Sequence, residues 1–203
     1  MDRKPACATC WMSAPRRTWR ARPFVGTSFG GLLAMGLATA RPAMLRGVLL
    51  NDVGPEIGTA GAEFVRDFVG LDPALESLDA CVTFLQQRLP PLSLSTGEAW
   101  RTMAALTYEP GADGRFHPVW DVAIARLLNR KTPDLWPLFG ALAHVPVLLV
   151  HGAVSDILTP PTIDTMRARH PDLTVVTVPG VGHAPILTED QVRGPLRDFI
   201  SRV

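Results

Sequence analysis

Four short apolar runs constrain the fold of this chain more than any other feature of its sequence. They are PFV at 23–25, GVLL at 47–50, VPVLLV at 145–150 and TVVTV at 174–178. None alternates apolar with polar residues, and uninterrupted apolar strands are typical of a parallel sheet covered on both faces. Helical patterns follow the first, third and fourth runs, as GGLLAMGLATA, PPTIDTMRARH and TEDQVRGPLRDFISRV. This order predicts an α/β fold in which helices flank a parallel sheet.

A long insertion of helical character separates the second and third runs. One apolar helix face recurs in it at spacings of three and four residues; it comprises Leu75, Leu78, Val82, Leu85 and Leu89. Ser95 with Glu98, and Thr188 with Gln191 before the last helix, have the spacing of capping boxes, and HPVWDVAIARLLNR is a further helix candidate. Because the insertion is too long for a simple crossover, we expect a helical cap at about 54–143 over one end of the sheet.

The first 22 residues differ in composition from the rest of the chain. They carry six Lys and Arg against one acid, a net charge of +5, whereas the remainder carries −4. They show neither alternation nor helical periodicity, so we expect little packed structure in 1–22 and assign the folded core to 23–203. A transit peptide or a nucleic-acid-binding arm is a minor alternative, since this segment has no clean amphipathic face or basic cluster.

The overall composition limits the class of protein. With 203 residues, 47% hydrophobic, 19% charged and a net charge of +1, the chain is typical of one soluble domain, and we expect neither nucleic acid nor a membrane as a partner. Cys7 and Cys10 form a C-x-x-C that no second ligand pair completes, so no metal is expected. An odd cysteine count of three and the lack of a secretory signal predict a cytoplasmic protein.

The segment GTSFG places a serine between the first strand and the first helix. A nucleophilic serine projects from a strained strand-to-helix turn, where a base can reach its Oγ. Side chains two residues before and after Ser28 would collide across such a turn, which predicts a need for glycine at Gly26 and Gly30, and Gly31 lets the helix approach the sheet. The Phe29 N–H would bind an oxyanion formed beside Ser28. The alternative is a tight turn with a passive serine.

A serine hydroxyl needs a base, and the base needs an acid that orients it. His183, in PGVGHAP after the last strand, is the histidine best placed to reach over the carboxyl end of the sheet. Two aspartates follow strands and precede His183 in the chain, Asp52 after the second run and Asp156 after the third. Asp156 is favoured because only its surroundings resemble a known motif, and Asp52 is expected instead to fix the entry loop of the cap.

Ser28, Asp156 and His183 in this order, with GTSFGG, SDIL and GVGHAP, resemble the α/β-hydrolase superfamily from about Pro23 to the C-terminus. The resemblance implies that Ser28 is the nucleophile, that His183 is general base and then acid, and that Asp156 holds the imidazole tautomer. It also implies a helical cap after the family's sixth strand, no cofactor, and a small-molecule substrate of ester, thioester, related acyl or C–C type, or a perhydrolysis. A serine in place of aspartate or cysteine argues against dehalogenase, epoxide-hydrolase and dienelactone-hydrolase chemistry.

Members of this superfamily carry four strands before the nucleophile turn, where this chain has 22 unpatterned residues. We therefore expect a truncated or frameshifted form, without the loop that supplies the second oxyanion N–H. Two functions stay open: a serine hydrolase, and a non-catalytic remnant that retains the three residues but has no turnover. The strand PFV would lack a neighbour, which predicts self-association through an exposed sheet edge.

Overall fold

The computed structural model describes residues 21–128 and 133–203. The predicted basic segment therefore lies outside the described residues, except for its last two positions, and so does the C-x-x-C motif. Four strands form one parallel sheet in the order β1-β2-β5-β6; they are β1 (Arg22–Thr27), β2 (Leu45–Asn51), β5 (Val147–Gly152) and β6 (Leu173–Val178). Each strand overlaps one of the four apolar runs, and the predicted α/β fold with a parallel sheet is confirmed.

The uninterrupted apolar runs follow from helices on both faces of this sheet. Successive strand residues point to opposite faces, and both faces are buried: Val48 and Leu50 join one apolar cluster, whereas Leu49 joins the other. In β5, Leu149 and Leu148 divide between the same two clusters. Every position in the centre of these strands is therefore apolar.

Helices α1 (Phe29–Ala40), α6 (Trp136–Gly140) and α7 (Pro160–Arg169) cover the first face, and α8 (Asp190–Arg202) covers the second. Met35 of α1, Phe139 of α6 and Met166 of α7 are fully buried against the first face. The predicted cap range, 54–143, includes α6, but α6 packs on the sheet and belongs to its core.

The insertion has an apolar cluster of its own, centred on Cys81, Leu85, Ala104 and Tyr108. Its elements are α2 (Thr59–Val69), α3 (Leu78–Arg88), α4 (Gly97–Thr107), α5 (Ala125–Leu128) and a small antiparallel pair, β3 (Tyr108–Pro110) with β4 (Phe116–Pro118). The insertion is thus not purely helical. The predicted helix at 117–130 begins instead as β4, because His117 and Pro118 pair with β3. Its described part is helical from Val122 to Leu128, first as a 3₁₀ turn and then as α5, and 129–130 lie outside the described residues.

Both predicted capping boxes are wrong by one residue. Thr96 rather than Ser95 caps α4, since its Oγ1 accepts from the Ala99 N–H at 3.1 Å. Glu189 rather than Thr188 precedes α8, and it makes no side-chain cap. The sequence pattern does not distinguish neighbouring Ser, Thr and Glu residues as N-cap candidates. Which of them caps the helix depends on the path of the backbone into the first turn.

Two observations on the described residues concern membranes and metals. None of the described helices has both the length and the apolar character needed to cross a bilayer. Within 21–128 and 133–203, no three His, Cys, Asp or Glu side chains come together in an arrangement that could hold a metal ion.

Candidate active site

The carboxyl ends of β1, β2 and β5 lie level with one another, and the candidate site is built there. Thr27 of β1 is paired with Asn51 of β2, and Asn51 is paired with Val150 of β5. The residues that follow these strands therefore emerge at the carboxyl end of the sheet. Loops at this end commonly form binding sites in α/β proteins. Ser28 and Asp52 are the first residues beyond β1 and β2.

Ser28 occupies a strained turn between β1 and α1. Its backbone has φ 51° and ψ −120°, a region that non-glycine residues rarely adopt. Such strain costs about 1–3 kcal/mol and persists only where neighbouring groups hold it. The Ser28 N–H donates to the Asn51 carbonyl at 3.1 Å, and the Ser28 carbonyl accepts from the Gly31 N–H at 2.9 Å. Both sides of the turn are thus fixed to regular structure.

The glycines around Ser28 are needed to different extents. A Cβ at Gly26 would lie 2.5 Å from Gly30 C and from Gly31 N, which are backbone atoms and cannot move aside. A Cβ at Gly31 would lie 2.4 Å from Val53 Cγ1, so this glycine allows α1 to approach β2 as predicted. At Gly30 nothing lies within 4 Å of an added Cβ. The predicted need for glycine on steric grounds is therefore confirmed at Gly26 and wrong at Gly30, which faces open space.

Phe29 is the first residue of α1, and its backbone N–H lies directly beside Ser28. The first N–H groups of a helix have no intrahelical partner and attract negative charge. Within the described residues, the Phe29 N–H makes no hydrogen bond. It is therefore available to an oxygen that develops charge at a carbon attached to Ser28 Oγ.

His183 is paired with Asp52 and not with Asp156. Its Nδ1 lies 2.8 Å from Asp52 Oδ2; the Asp52 side chain is fully buried, and the imidazole is 14% exposed. A carboxylate only accepts, so Nδ1 carries a proton, and in the neutral imidazole the lone pair is therefore on Nε2. Within the described residues Nε2 makes no hydrogen bond, and it is therefore free to act as a base.

Asp52 is held by donors on three sides. Its Oδ1 accepts from the Gly152 N–H at 3.0 Å, and its Oδ2 accepts from Ser155 Oγ at 2.5 Å as well as from His183. Its backbone has φ 54°, and its N–H donates to the Val150 carbonyl at 2.7 Å. A buried carboxylate needs such partners to stay charged. Asp52 is thus a buried, hydrogen-bonded anchor for the imidazole, not a support for the cap entry loop.

The selection of Asp156 as the partner of His183 is corrected by the direction of the loop after β5. Asp156 is exposed. Its backbone packs against α2: a Cβ at Gly58 or Gly61 would lie 2.2 or 2.4 Å from the Asp156 carbonyl oxygen. The preceding residue, Ser155, is the one that turns toward Asp52. The SDIL segment therefore contributes to the site, but through its serine.

Sequence reasoning also missed the roles of Ser155 and Asn51. Asn51 Nδ2 donates to Thr27 Oγ1 at 3.1 Å and to the Pro185 carbonyl at 2.8 Å. The available signal was the position of Asn51 and Asp52, two polar residues directly after GVLL at the end of a buried strand. Of the three predicted residues, His183 is paired with Asp52, Ser28 is bonded through its N–H to the neighbouring Asn51, and Asp156 is not part of this network.

Similarity to known proteins is extensive. The sequence model of the alpha/beta hydrolase family matches residues 10–193. The chain is 35% identical over 175 residues to a 3-hydroxybutyrate-oligomer hydrolase of Cupriavidus necator, with 81% of this chain and 59% of that protein covered. It is 29% identical over 161 residues to a 2-(acetamidomethylene)succinate hydrolase of Mesorhizobium japonicum, with 78% and 56% covered.

A solved structure, an alpha/beta hydrolase of Novosphingobium aromaticivorans, superposes with a TM-score of 0.80 at 34% sequence identity. The match covers 91% of this chain and 66% of that one. The chain thus spans somewhat more than half the length of the two curated relatives and just under two thirds of this structure.

Proposed function

Since this chain belongs to the alpha/beta hydrolase family, we propose that it is a serine hydrolase in which Ser28, His183 and Asp52 form the catalytic triad. The pairing of His183 Nδ1 with the buried Asp52 carboxylate at 2.8 Å is the observation that carries the proposal. In the neutral imidazole this pairing places the lone pair on Nε2, at the carboxyl end of the sheet where the strained turn presents Ser28. A substrate that contains a small ester or a related acyl or C–C bond suits this arrangement.

The reaction proceeds in two halves. Ser28 Oγ bonds to the substrate carbonyl carbon while its proton passes to His183 Nε2, and the Phe29 N–H stabilises the oxyanion. The C–O bond to the leaving group breaks as His183 Nε2–H protonates that group, and an acyl-Ser28 remains. Water then attacks the acyl carbon and gives a proton to Nε2; the acyl bond to Ser28 Oγ breaks as Nε2–H returns that proton to Oγ, which releases the acid and free Ser28. Throughout, Asp52 stabilises the imidazolium and takes no proton.

The substrate class is best tested first with small esters. The Cupriavidus necator relative is named for 3-hydroxybutyrate oligomers, which supports hydroxy-acid esters beside short-chain p-nitrophenyl esters as initial substrates. Thioester hydrolysis, C–C bond hydrolysis and perhydrolysis would use the same serine and base, so these reactions are assayed after the esters.

A fluorophosphonate probe tests the nucleophile directly, because it reacts only with an activated serine. Wild-type protein should be labelled at Ser28, as read by mass spectrometry, and Ser28→Ala should abolish both labelling and ester hydrolysis. Ser201→Ala is the matched control, since Ser201 is exposed on α8 and its Oγ donates to Asp198 O. Undiminished labelling of Ser28→Ala would remove Ser28 as nucleophile. A folded wild-type protein without any labelling would favour the non-catalytic alternative.

A further inference from the structure

Asn51, the residue before Asp52, joins the nucleophile turn to the loop that carries His183. The side chain is 1% exposed. One amide hydrogen of Nδ2 is directed at Thr27 Oγ1, at 3.1 Å, and the other at the Pro185 carbonyl, at 2.8 Å. Its backbone carbonyl accepts from the Ser28 N–H at 3.1 Å. This one residue therefore contacts both flanks of the reacting pair.

The orientation of the Asn51 amide is set by the Pro185 carbonyl. A carbonyl oxygen only accepts, so Nδ2 must face it; the flipped amide would oppose two oxygens. This orientation leaves Asn51 Oδ1 buried and without a hydrogen-bond partner among residues 21–128 and 133–203. An unpartnered buried acceptor is destabilising, by about 1–3 kcal/mol. Asn51 is thus held by its two donor contacts and by its backbone carbonyl, not by its side-chain oxygen.

The segment 179–187, here called the histidine loop, has other anchors that do not reach Ser28. The Gly182 N–H donates to the Pro91 carbonyl at 2.7 Å, and the Ile186 N–H donates to Glu189 Oε1 at 2.8 Å. These bonds tie the loop to the insertion and to the start of α8. The Asn51 amide ties it to the nucleophile turn instead. Asp52 fixes the imidazole ring, and Asn51 fixes the backbone two residues beyond it.

We propose that the Asn51 amide, bridging Thr27 Oγ1 and the Pro185 carbonyl, is a positioning residue that sets the distance between Ser28 Oγ and His183 Nε2; this rests on the proposed serine hydrolase function. Proton transfer requires a separation of about 2.6–3.2 Å between the two atoms. A displacement of about 1 Å lowers the rate of such a step about 10²-fold. A residue that fixes this distance acts on turnover and leaves substrate binding largely unchanged.

Asn51→Ala and Asn51→Asp test the proposal by steady-state kinetics on a p-nitrophenyl ester. Asn51→Asp keeps the shape but replaces the donor by an oxygen that faces the Pro185 carbonyl. Both variants should lower kcat about 10²-fold, the loss typical of a small misplacement, with KM within about twofold, while the thermal unfolding transition stays cooperative. Wild-type kcat in a folded Asn51→Ala protein would overturn the proposal.

Hydrogen exchange supplies a readout that does not depend on activity. In Asn51→Ala the amides of Gly182 and Ile186, in the histidine loop, should exchange faster than in the wild type, whereas Leu149 in the centre of β5 should be unchanged. Faster exchange at all three sites would mean that Asn51 serves global stability, and would overturn the positioning role. Unchanged exchange in the loop would overturn it as well.

Thr27 variants decide the question if the Asn51 variants do not fold. Thr27 is exposed apart from its contact with Asn51. Thr27→Val removes the acceptor and Thr27→Ser keeps it, so labelling by the fluorophosphonate should be slower in Thr27→Val than in Thr27→Ser. Thr174→Val, an exposed threonine of β6 away from the site, is the control. Equal labelling rates in Thr27→Val and Thr27→Ser would contradict the proposed role of the hydrogen bond between Asn51 Nδ2 and Thr27 Oγ1.

The two proposals fail in different ways. If Ser28→Ala is still labelled, the serine hydrolase proposal fails, and the exchange rates of the histidine loop still decide whether Asn51 holds that loop in place. If Ser28→Ala is inert and Asn51→Ala reacts like the wild type, the triad stands and only the role of Asn51 is rejected.

Discussion

Asp52 Oδ2 and His183 Nδ1, 131 residues apart in the sequence, are joined by a 2.8 Å hydrogen bond. Asp52 directly follows β2, the strand beside β1, and therefore begins next to the serine turn. His183 reaches the same point from the loop after β6, at the opposite end of the sheet order. The bond thus joins the loop after a central strand to the loop after β6, and the first two of the following predictions depend on it.

Asp52→Asn should reduce activity far more than Asp156→Asn. An amide at position 52 can donate its own hydrogen to Nδ1, which favours the tautomer that is protonated at Nε2 and cannot act as the base. We therefore expect kcat to fall by about 10³–10⁴. Asp156 is exposed and makes no contact with His183, so its variant should react within about twofold of the wild type, as surface substitutions usually do. Fluorophosphonate labelling rates measure both. A greater loss in Asp156→Asn would restore the acid that the sequence favoured.

Ser155→Ala should lower kcat about tenfold, the effect of losing one hydrogen bond to a charged group. The Ser155 hydroxyl donates to Asp52 Oδ2 at 2.5 Å and accepts from the Ile157 N–H at 3.1 Å. Ser155→Thr keeps the hydroxyl and should restore most of the rate. If the threonine variant is as slow as the alanine variant, the hydroxyl is not what supports Asp52.

Gly26→Ala and Gly30→Ala should have opposite effects although they are symmetric in the motif. A methyl group at position 26 collides with backbone at 2.5 Å, whereas position 30 is open. Gly26→Ala should therefore lower the melting temperature and abolish labelling. Gly30→Ala, inside α1, should keep labelling and raise stability by about 0.5–1 kcal/mol. Differential scanning calorimetry and probe labelling together check this; equal tolerance at both positions would contradict the observed geometry.

The free energy of unfolding should fall at acidic pH because of His170. Its burial lowers the pKa; Nε2 lies 3.0 Å from the Leu142 carbonyl and Nδ1 accepts from the Asp172 N–H at 3.1 Å, so the folded state holds it neutral. The unfolded chain binds a proton near pH 6.5 that the folded chain binds only at lower pH. Stability is therefore present above about pH 6.5 and lost as the pH falls below it.

Urea unfolding of wild type and His170→Gln at several pH values measures this effect as a difference between the two proteins. The difference should shrink as the pH drops from about 8 to about 5, across the ordinary histidine pKa. The comparison with His170→Gln is needed because His117 changes the pH dependence of stability in the opposite direction. Hydrogen bonds to Asp72 and then Asp113 raise the pKa of His117. A difference that is constant with pH would show that His170 does not titrate in this range.

The chain should self-associate through the free edge of β1. Among the described strands β1 has a neighbour on one side only. Val25 of β1 is 55% exposed, and Phe29 and Leu33 of α1, the helix that follows β1, are 61% and 58% exposed. An apolar edge strand pairs with other chains. Sedimentation velocity at micromolar concentration should show species larger than the 22.0 kDa monomer.

Val25→Lys tests whether this edge is responsible, since a charge on an edge strand opposes pairing. It should shift the protein toward the monomer, whereas Val119→Lys, at a site in the insertion that is 50% exposed, should not. A monomeric wild type, or equal shifts in the two variants, would exclude the β1 edge as the contact.

The sequence alone determined the architecture and two of the three triad candidates. Strands buried on both faces must be apolar at every position, and the uninterrupted apolar runs GVLL and VPVLLV show this property in the sequence itself. Ser28 was identified because it lies in a glycine-rich turn between an apolar strand and a helical pattern. His183 was identified because a glycine-rich loop follows the last strand. Each of these signals depends only on neighbours along the chain.

Only the tertiary structure decided which aspartate meets His183. Asp52 and Asp156 both follow a buried strand and both lie between Ser28 and His183 in the chain, and the one local signal that distinguished them, the motif around Asp156, favoured the wrong residue. The choice depends on the directions in which two loops leave the sheet. The backbone at Asp52, with φ 54°, keeps its carboxylate buried at the carboxyl end of the sheet. The Asp156 backbone is instead packed against α2, and its side chain is exposed to solvent. Packing contacts that are far apart in sequence set both directions, and no spacing along the chain encodes them.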